Sequence, residues 1–374
     1  MKFDIAAKLV SASQRAWVVH AGRARVNYGD FKDNGIVFLE APYLRLENNI
    51  VRSKSNLRRA IRRSVAWRKH AETTGSQAPS EMLSAYDAGT FKESELQSLS
   101  GSVSRIYGLA KKGDLVIVPG REIVDGLSQP VIRFGEITTD FDPSETYSGG
   151  KLASQSVPLR RVRWLKVVPR KSISFDLERR IGKPPAVREI KIDRDNEELL
   201  KHAYESYIFE GNSSSLVTAD KYDARDFVLL NQSSELIAFL VSAHAVITQK
   251  GKPGDITDIR AFTEKHFQEA PIENIEVDFA SPGHWRIVGA TVSLAVFVSL
   301  GVAVFASGLS TDDLKAGIEV ENSVSPADGT AKDLQASMNI LLDSVGKLQL
   351  ERATGTAKKA KDVIGLKSAT KSVH

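Results

Sequence analysis

The sequence predicts an α+β chain: an N-terminal β-barrel with a helical insertion, a small α+β domain, one transmembrane helix and a C-terminal amphipathic or coiled-coil helix. Three observations carry that expectation. Short runs of β-branched and aromatic residues alternate with glycine-rich turns through the first half of the 374 residues. A basic stretch between two of those runs has helical spacing. Residues 287–309 form a run of 23 residues without a charge.

The barrel strands are read in order from AWVVHAGR (16–23), GIVFLE (35–40), DLVIVPG (114–120), VIRFGEIT (131–138) and VRWLKVVPR (162–170). Many short strands with Gly-rich turns favour a small barrel over a parallel sheet. In KSNLRRAIRRSVAWRKH (54–70), Leu57, Ile61 and Val65 recur every four residues, which makes an amphipathic helix with a basic face at Arg58, Arg59, Arg62 and Arg63. Residues 71–81 read as a loop. Residues 1–186 thus form the first domain.

Residues 187–283 read as an α+β unit. Helices are expected at 197–211, 233–247 and 255–267, and strands at 226–232 and 272–279. The run 287–309 spans roughly 34 Å as a helix, enough for a hydrocarbon core of about 30 Å. A buried core helix is the alternative. Small residues repeat along the run: Thr291, Ala295, Ser299, Ala303 and Ser307 fall at four-residue spacing, with Gly289 and Ser293 beginning a parallel line. Such stripes let membrane helices approach closely. The expected transmembrane segment is 284–310, followed by a helical tail, 311–374. There, Leu334, Met338, Leu341, Val345 and Leu348 make an a/d seam, read either as a coiled coil or as a lone amphipathic helix. The N-terminus has no export signal, so the expected placement is single-pass in the inner (cytoplasmic) membrane, N-terminus cytoplasmic and tail outside.

The net charge of +5 is unevenly distributed. Residues 1–70 hold 15 Lys/Arg against 5 Asp/Glu, and 151–190 hold 11 against 3. Residues 71–150 and 191–286 are acidic. Two basic blocks point to an anionic partner. The absence of cysteine excludes disulfides, thiolate metal sites and cysteine nucleophiles. No P-loop, G-x-G-x-x-G, H-E-x-x-H or G-x-S-x-G occurs, and the histidines lack metal-ligand spacing. Asp176 followed by Glu189-x-Lys191 is the one nuclease-like pattern, and a plain strand explains VREIKI as well. No catalytic residue, metal or cofactor is expected.

WVVHAGR (17–23), Phe31 before GIVFLE, GDLVIVPG (113–120), FGEITTDF (134–141) and PLRRVRWLKVVPR (158–170) come in an order that resembles the EVE/PUA-like reader module of Mrr-type modification-dependent restriction endonucleases. The resemblance covers about half the chain. It implies a barrel whose aromatic pocket takes a nucleobase, with Trp17, Phe31 and Trp164 as walls. It also implies Asp140 as acceptor from a base edge, and Arg160, Arg161 and Arg163 as phosphate contacts. The competing reading makes Trp17 and Trp164 barrel core. Period-2 alternation sets Arg161 and Arg163 on the opposite face from Trp164 unless a bulge intervenes.

No nuclease domain follows, and the layout is similar to nucleotide-gated membrane effectors of bacterial anti-phage defence, the Hailong type among them. The expected function is therefore a sensor of a nucleotide or oligonucleotide that permeabilises the membrane as a homo-oligomer of about four or more chains in contact with lipid, since one helix per chain cannot surround a pore. The alternatives are a membrane-tethered reader of modified DNA without channel activity and a membrane-anchored nuclease.

Overall fold

The computed structural model describes residues 1–373 except 47–49, 76–81, 89–91, 125, 153–154, 281 and 327–328. The chain divides into two compact units, Ser13–Ala203 and a second made of Met1–Ala12 with Tyr204–His374.

The unit Ser13–Ala203 is built on a seven-stranded sheet. Its order is Ile36–Phe38, Val157–Pro169, Leu127–Ile137, Leu115–Val124, Arg15–Val19 and Val187–Lys191, with Thr146–Tyr147 beside Val157–Pro169. Only Arg15–Val19 and Leu115–Val124 pair in parallel. The strands fall where β-branched and aromatic runs place them. Among the described residues the ladder is an open path, because its end strands Ile36–Phe38 and Val187–Lys191 do not pair. Helix Lys54–Thr74 starts at Ser53, whose hydroxyl accepts from the Asn56 amide, and stops at Gly75 in the left-handed region. It buries Leu57, Ile61 and Val65, as their spacing requires, and Trp67 with them. The expected loop 71–81 is helical to Thr74, and 76–81 lies outside the described residues.

In the second unit a six-stranded sheet runs Ile272–Asp278, Gly283–Gly289, Asn212–Ala219, Ser206–Phe209 and Lys8–Leu9, with Leu366–Ser368 also on Asn212–Ala219. A second sheet has three strands. Lys2–Asp4 lies at its centre, parallel to Glu319–Glu321 and antiparallel to Lys371–Val373. The helix Phe227–Lys250 packs on Leu294–Phe305 within one core.

The expected transmembrane helix is not present: among the described residues no helix is long and apolar enough to cross a membrane. The apolar run divides. Ile287–Gly289 ends the strand Gly283–Gly289, which is paired on both sides; residues 290–293 turn; and Leu294–Phe305 is a helix of 12 residues, roughly 18 Å long. The helix is apolar all round because protein surrounds it. The expected outer tail folds back as two helices, Thr330–Ser344 and Lys347–Ile364, into the core that contains Phe3. The a/d seam is therefore an intramolecular contact, broken at Val345 and Gly346, with Leu348 exposed. Phe3 pairs with both Val320 and Ser372, so no bilayer can separate the two ends of this unit. The single-pass placement with the tail outside loses its basis.

The small-residue stripe also works inside the chain. Ser213 Oγ donates to the Thr291 carbonyl (2.7 Å) and accepts from the Ala295 amide (3.0 Å). Ser293 Oγ lies 2.8 Å from His244 Nε2. Buried Ser299 meets Thr370 Oγ1 at 3.1 Å and accepts from its amide. Ser307 Oγ donates to the Val304 carbonyl, Ala303 packs on the core, and Gly289 lies against Leu294.

Candidate functional site

A concavity of about 860 Å³ opens on the unit Ser13–Ala203 between the segment after Arg15–Val19 and the hairpin near Arg121. Its walls include His20, Arg25, Tyr28, Lys32, Arg121 and Ile123. Ala24 (φ 54°) and Arg25 (φ 60°) adopt left-handed backbone, at about 1–2 kcal/mol for a residue with a Cβ. Such strain collects at functional surfaces. The Tyr28 ring packs against the hairpin at Gly120, where a Cβ would sit 2.0 Å from it.

Behind the ring is a linked polar group. Tyr28 Oη donates to Glu122 (2.5 Å), and Arg133 Nε donates to Tyr28 Oη (3.3 Å). Burial, then the Glu122 bond, pushes the Tyr28 hydroxyl up to about 12. Burial opposes ionisation of Glu122, but hydrogen bonds from Tyr28 and Arg133 hold it below the usual range. Arg133 also lies over the Trp164 ring at 5.6 Å, and Trp164 Nε1 donates to the Phe31 carbonyl (3.0 Å). Burial lowers the His20 pKa against a backbone hydrogen bond to Lys183 that raises it, and Arg25 and Arg188 add to the lowering. His20 Nε2 is buried without a partner.

The residues expected to form the aromatic pocket are distributed differently. Trp17 is fully buried, donating from Nε1 to Asp114 (2.8 Å), and fully buried Phe31 meets Phe38 edge-on at 4.8 Å. Neither offers a ring face to solvent. Half-buried Trp164 supports Arg133 and so the cavity's back wall. Asp140 is exposed, with Oδ1 3.5 Å from the Lys112 amide. Arg160 is buried under Phe141, donating from Nη2 to the Thr139 carbonyl, while Nε and Nη1 find no partner. Arg161 and Arg163 point outward into ion pairs with Glu145 (2.9 Å) and Glu136 (2.6 Å). A bulge does occur, between the partners of Phe134 and Gly135, but it falls after Trp164. Alternation therefore holds from Arg161 to Trp164, and the arginines stay on the other face.

No family model, curated protein or solved structure matches this chain. The site therefore rests on its own geometry.

The basic helix supplies a second feature. Arg58 pairs with Glu93, and Arg63 donates twice to Asp87. Arg59 and Arg62 are exposed, and among the described residues neither forms an ion pair; with Lys54, Ser55, Arg58 and Asp87 they line a groove of about 620 Å³. The charge separates by unit. Ser13–Ala203 holds 33 Lys/Arg against 23 Asp/Glu, or +10, and the rest of the chain 18 against 23, or −5, which together give the chain's +5.

The nuclease-like residues stand in separate pairs. Asp176 accepts from Arg179, Glu189 lies 3.6 Å from Arg15, and Lys191 lies 3.9 Å from Asp193. Among the described residues no group of three His, Asp or Glu is placed to hold a metal. Sequence reasoning missed Tyr28, Arg133 and Glu122. Their only signals were a tyrosine just past HAGR and a glutamate after the Pro-Gly of the hairpin.

Proposed function

We propose that the unit Ser13–Ala203 binds nucleic acid, with phosphates along the exposed arginines of Lys54–Thr74 and a base at the cavity beside Tyr28. The observation that carries this reading is the concentration of +10 in one unit, with Arg59 and Arg62 exposed on an open groove and in no ion pair among the described residues. Exposed guanidinium groups in excess of nearby carboxylates favour a polyanion, and planar forks suit phosphate. The motif order, which resembles that of EVE/PUA-like readers, points to the same ligand class. Two separate basic features favour an oligonucleotide over a mononucleotide.

The test is fluorescence anisotropy of the full chain with labelled single- and double-stranded DNA and RNA of about 20 nucleotides at ~50 mM salt, with AMP as competitor. Arg59→Glu with Arg62→Glu should weaken binding about tenfold or more. Lys358→Glu with Lys359→Glu, in the other unit, should leave it unchanged. Failure of the parent chain to bind any oligonucleotide would contradict the reading.

A further inference from the structure

In the second unit one sheet edge is open beside an exposed apolar patch. Ile272–Asp278 ends the six-stranded sheet and, among the described residues, pairs only with Gly283–Gly289. Every second residue of such a strand turns its amide and carbonyl away from the neighbouring strand, so about half of Ile272–Asp278 offers hydrogen bonds on the outer side. After the bulge at Ile272/Asn274 the register is regular to Asp278. It sets Ile275 opposite Ile287 and Val277 opposite Trp285, on the face that carries the core, and Glu276 and Asp278 opposite Arg286 and His284, on the other. The helix Phe227–Lys250 lies over the core face, where its Ser234 accepts from Trp285 Nε1 (3.0 Å). At the end of that face Val277 is 45%, Phe279 51% and Phe227 58% exposed, and the two phenyl rings meet edge-on at 6.4 Å. Proteins block such edges with lysine or proline, and Ile272–Asp278 has neither. Its charged residues are all carboxylates, Glu273, Glu276 and Asp278, in a unit that carries −5.

We propose that the outer edge of Ile272–Asp278 takes an extended segment of another protein, in which apolar residues alternate with lysine or arginine. The added strand bonds the outward backbone groups. It lays its apolar residues beside Ile275, Val277 and Phe279, and brings its cations to Glu276 and Asp278 on the other face. A second copy of this chain fits less well. Antiparallel pairing centred on Val277 sets Glu276 against Asp278 twice, and pairing centred on Glu276 sets that residue against itself. Like charges directly opposite one another destabilise a sheet. Pairing centred on Ile275 draws in the bulge at Ile272/Asn274, where the ladder is disrupted. This surface belongs to the acidic unit and stands independently of the nucleic-acid reading.

The experiment uses the full chain and three synthetic peptides: Lys-Val-Lys-Val-Lys-Val-Lys, the same residues ordered Lys-Lys-Lys-Lys-Val-Val-Val, and the alternating peptide with every amide N-methylated. Calorimetric titration gives affinity, and amide hydrogen exchange shows where each peptide binds. The alternating peptide should bind about tenfold more tightly than the other two and slow exchange within Ile272–Asp278. Val277→Lys, which puts a cation on the edge, should abolish that preference, whereas Val277→Thr, β-branched and uncharged, should keep it. Asp278→Asn should weaken the alternating peptide about threefold without removing the preference. No binding of the alternating peptide, equal binding of the rearranged one, or unchanged exchange along the strand would overturn the proposal. Sedimentation velocity of the chain alone forms a further arm. A dimer that Val277→Lys dissociates would mean that a second copy fills the edge, and the inference would be wrong.

Discussion

His244 shows what a buried polar side chain does in the second unit. It is almost fully buried, beside Phe297, with Nε2 against Ser293 Oγ and Nδ1 without a partner. Burial drives its pKa down to about 4. The folded chain therefore keeps the imidazole neutral, whereas the unfolded chain takes up a proton near pH 6.5. Between those values the unfolded state binds more protons, so its contribution is intact above about 6.5 and is lost as pH falls towards 4. At 1.36 kcal/mol per pH unit the loss is about 3 kcal/mol. Asp4, Asp220 and Glu269 are held below their ordinary values, so their losses begin only as pH nears the unfolded carboxylate range of about 4 and continue below it. Urea unfolding between pH 7 and 4.5 should show the decline, and His244→Gln should flatten it. A parent stability independent of pH over that range would count against a neutral, buried His244.

At the scale of elements, legibility divided along physical lines. Strands such as Arg15–Val19 and Leu115–Val124 were readable because β-branched runs end in turn residues. The helix Lys54–Thr74 was readable because one apolar stripe repeats every four residues. Hydropathy cannot tell lipid from a protein core, so a strand, a turn and a helix in 287–309 read as one span. The expected helix 197–211 ends at Ala203 and gives way to a hairpin, Ser206–Phe209 and Asn212–Ala219, turning at Glu210 and Gly211, both with positive φ. Its second strand opens on three serines instead of β-branched residues, and the Ser213 and Ser214 hydroxyls meet partners far along the chain, Thr291 and Arg286. Of the strand expected at 226–232, all but Asp226 lies within helix Phe227–Lys250. At the site, exposed Arg59 and Arg62 were legible from helical spacing, whereas the Tyr28–Glu122–Arg133 group joins residues far apart in the chain. Gly301 tests the packing that replaced the span. A Cβ there would lie 2.4 Å from Leu240 Cδ2, on a fully buried side chain. Gly301→Val should cost about 2 kcal/mol, and Leu240→Ala in the same chain should recover at least about 1 kcal/mol of the summed losses in a double-mutant cycle. Simple additivity in urea unfolding would mean the two helices do not meet there.

Across the whole molecule, the two units differ in charge and in what their surfaces offer. The acidic unit joins Lys2–Asp4 to Glu319–Glu321 and Lys371–Val373 in one sheet. The unit Ser13–Ala203 holds the excess cations and the cavity. On the proposed function those cations meet phosphates. Neutralised phosphates release counter-ions, so the logarithm of affinity falls linearly with the logarithm of salt, at about −0.9 per phosphate contacted on duplex DNA. The most direct measurement is that slope for the full chain on one duplex between about 50 and 200 mM salt, repeated for Arg59→Gln with Arg62→Gln. A steep parental slope is expected, shallower by about 2 in the variant. Binding that ignores salt, or a slope the two substitutions leave unchanged, would contradict it.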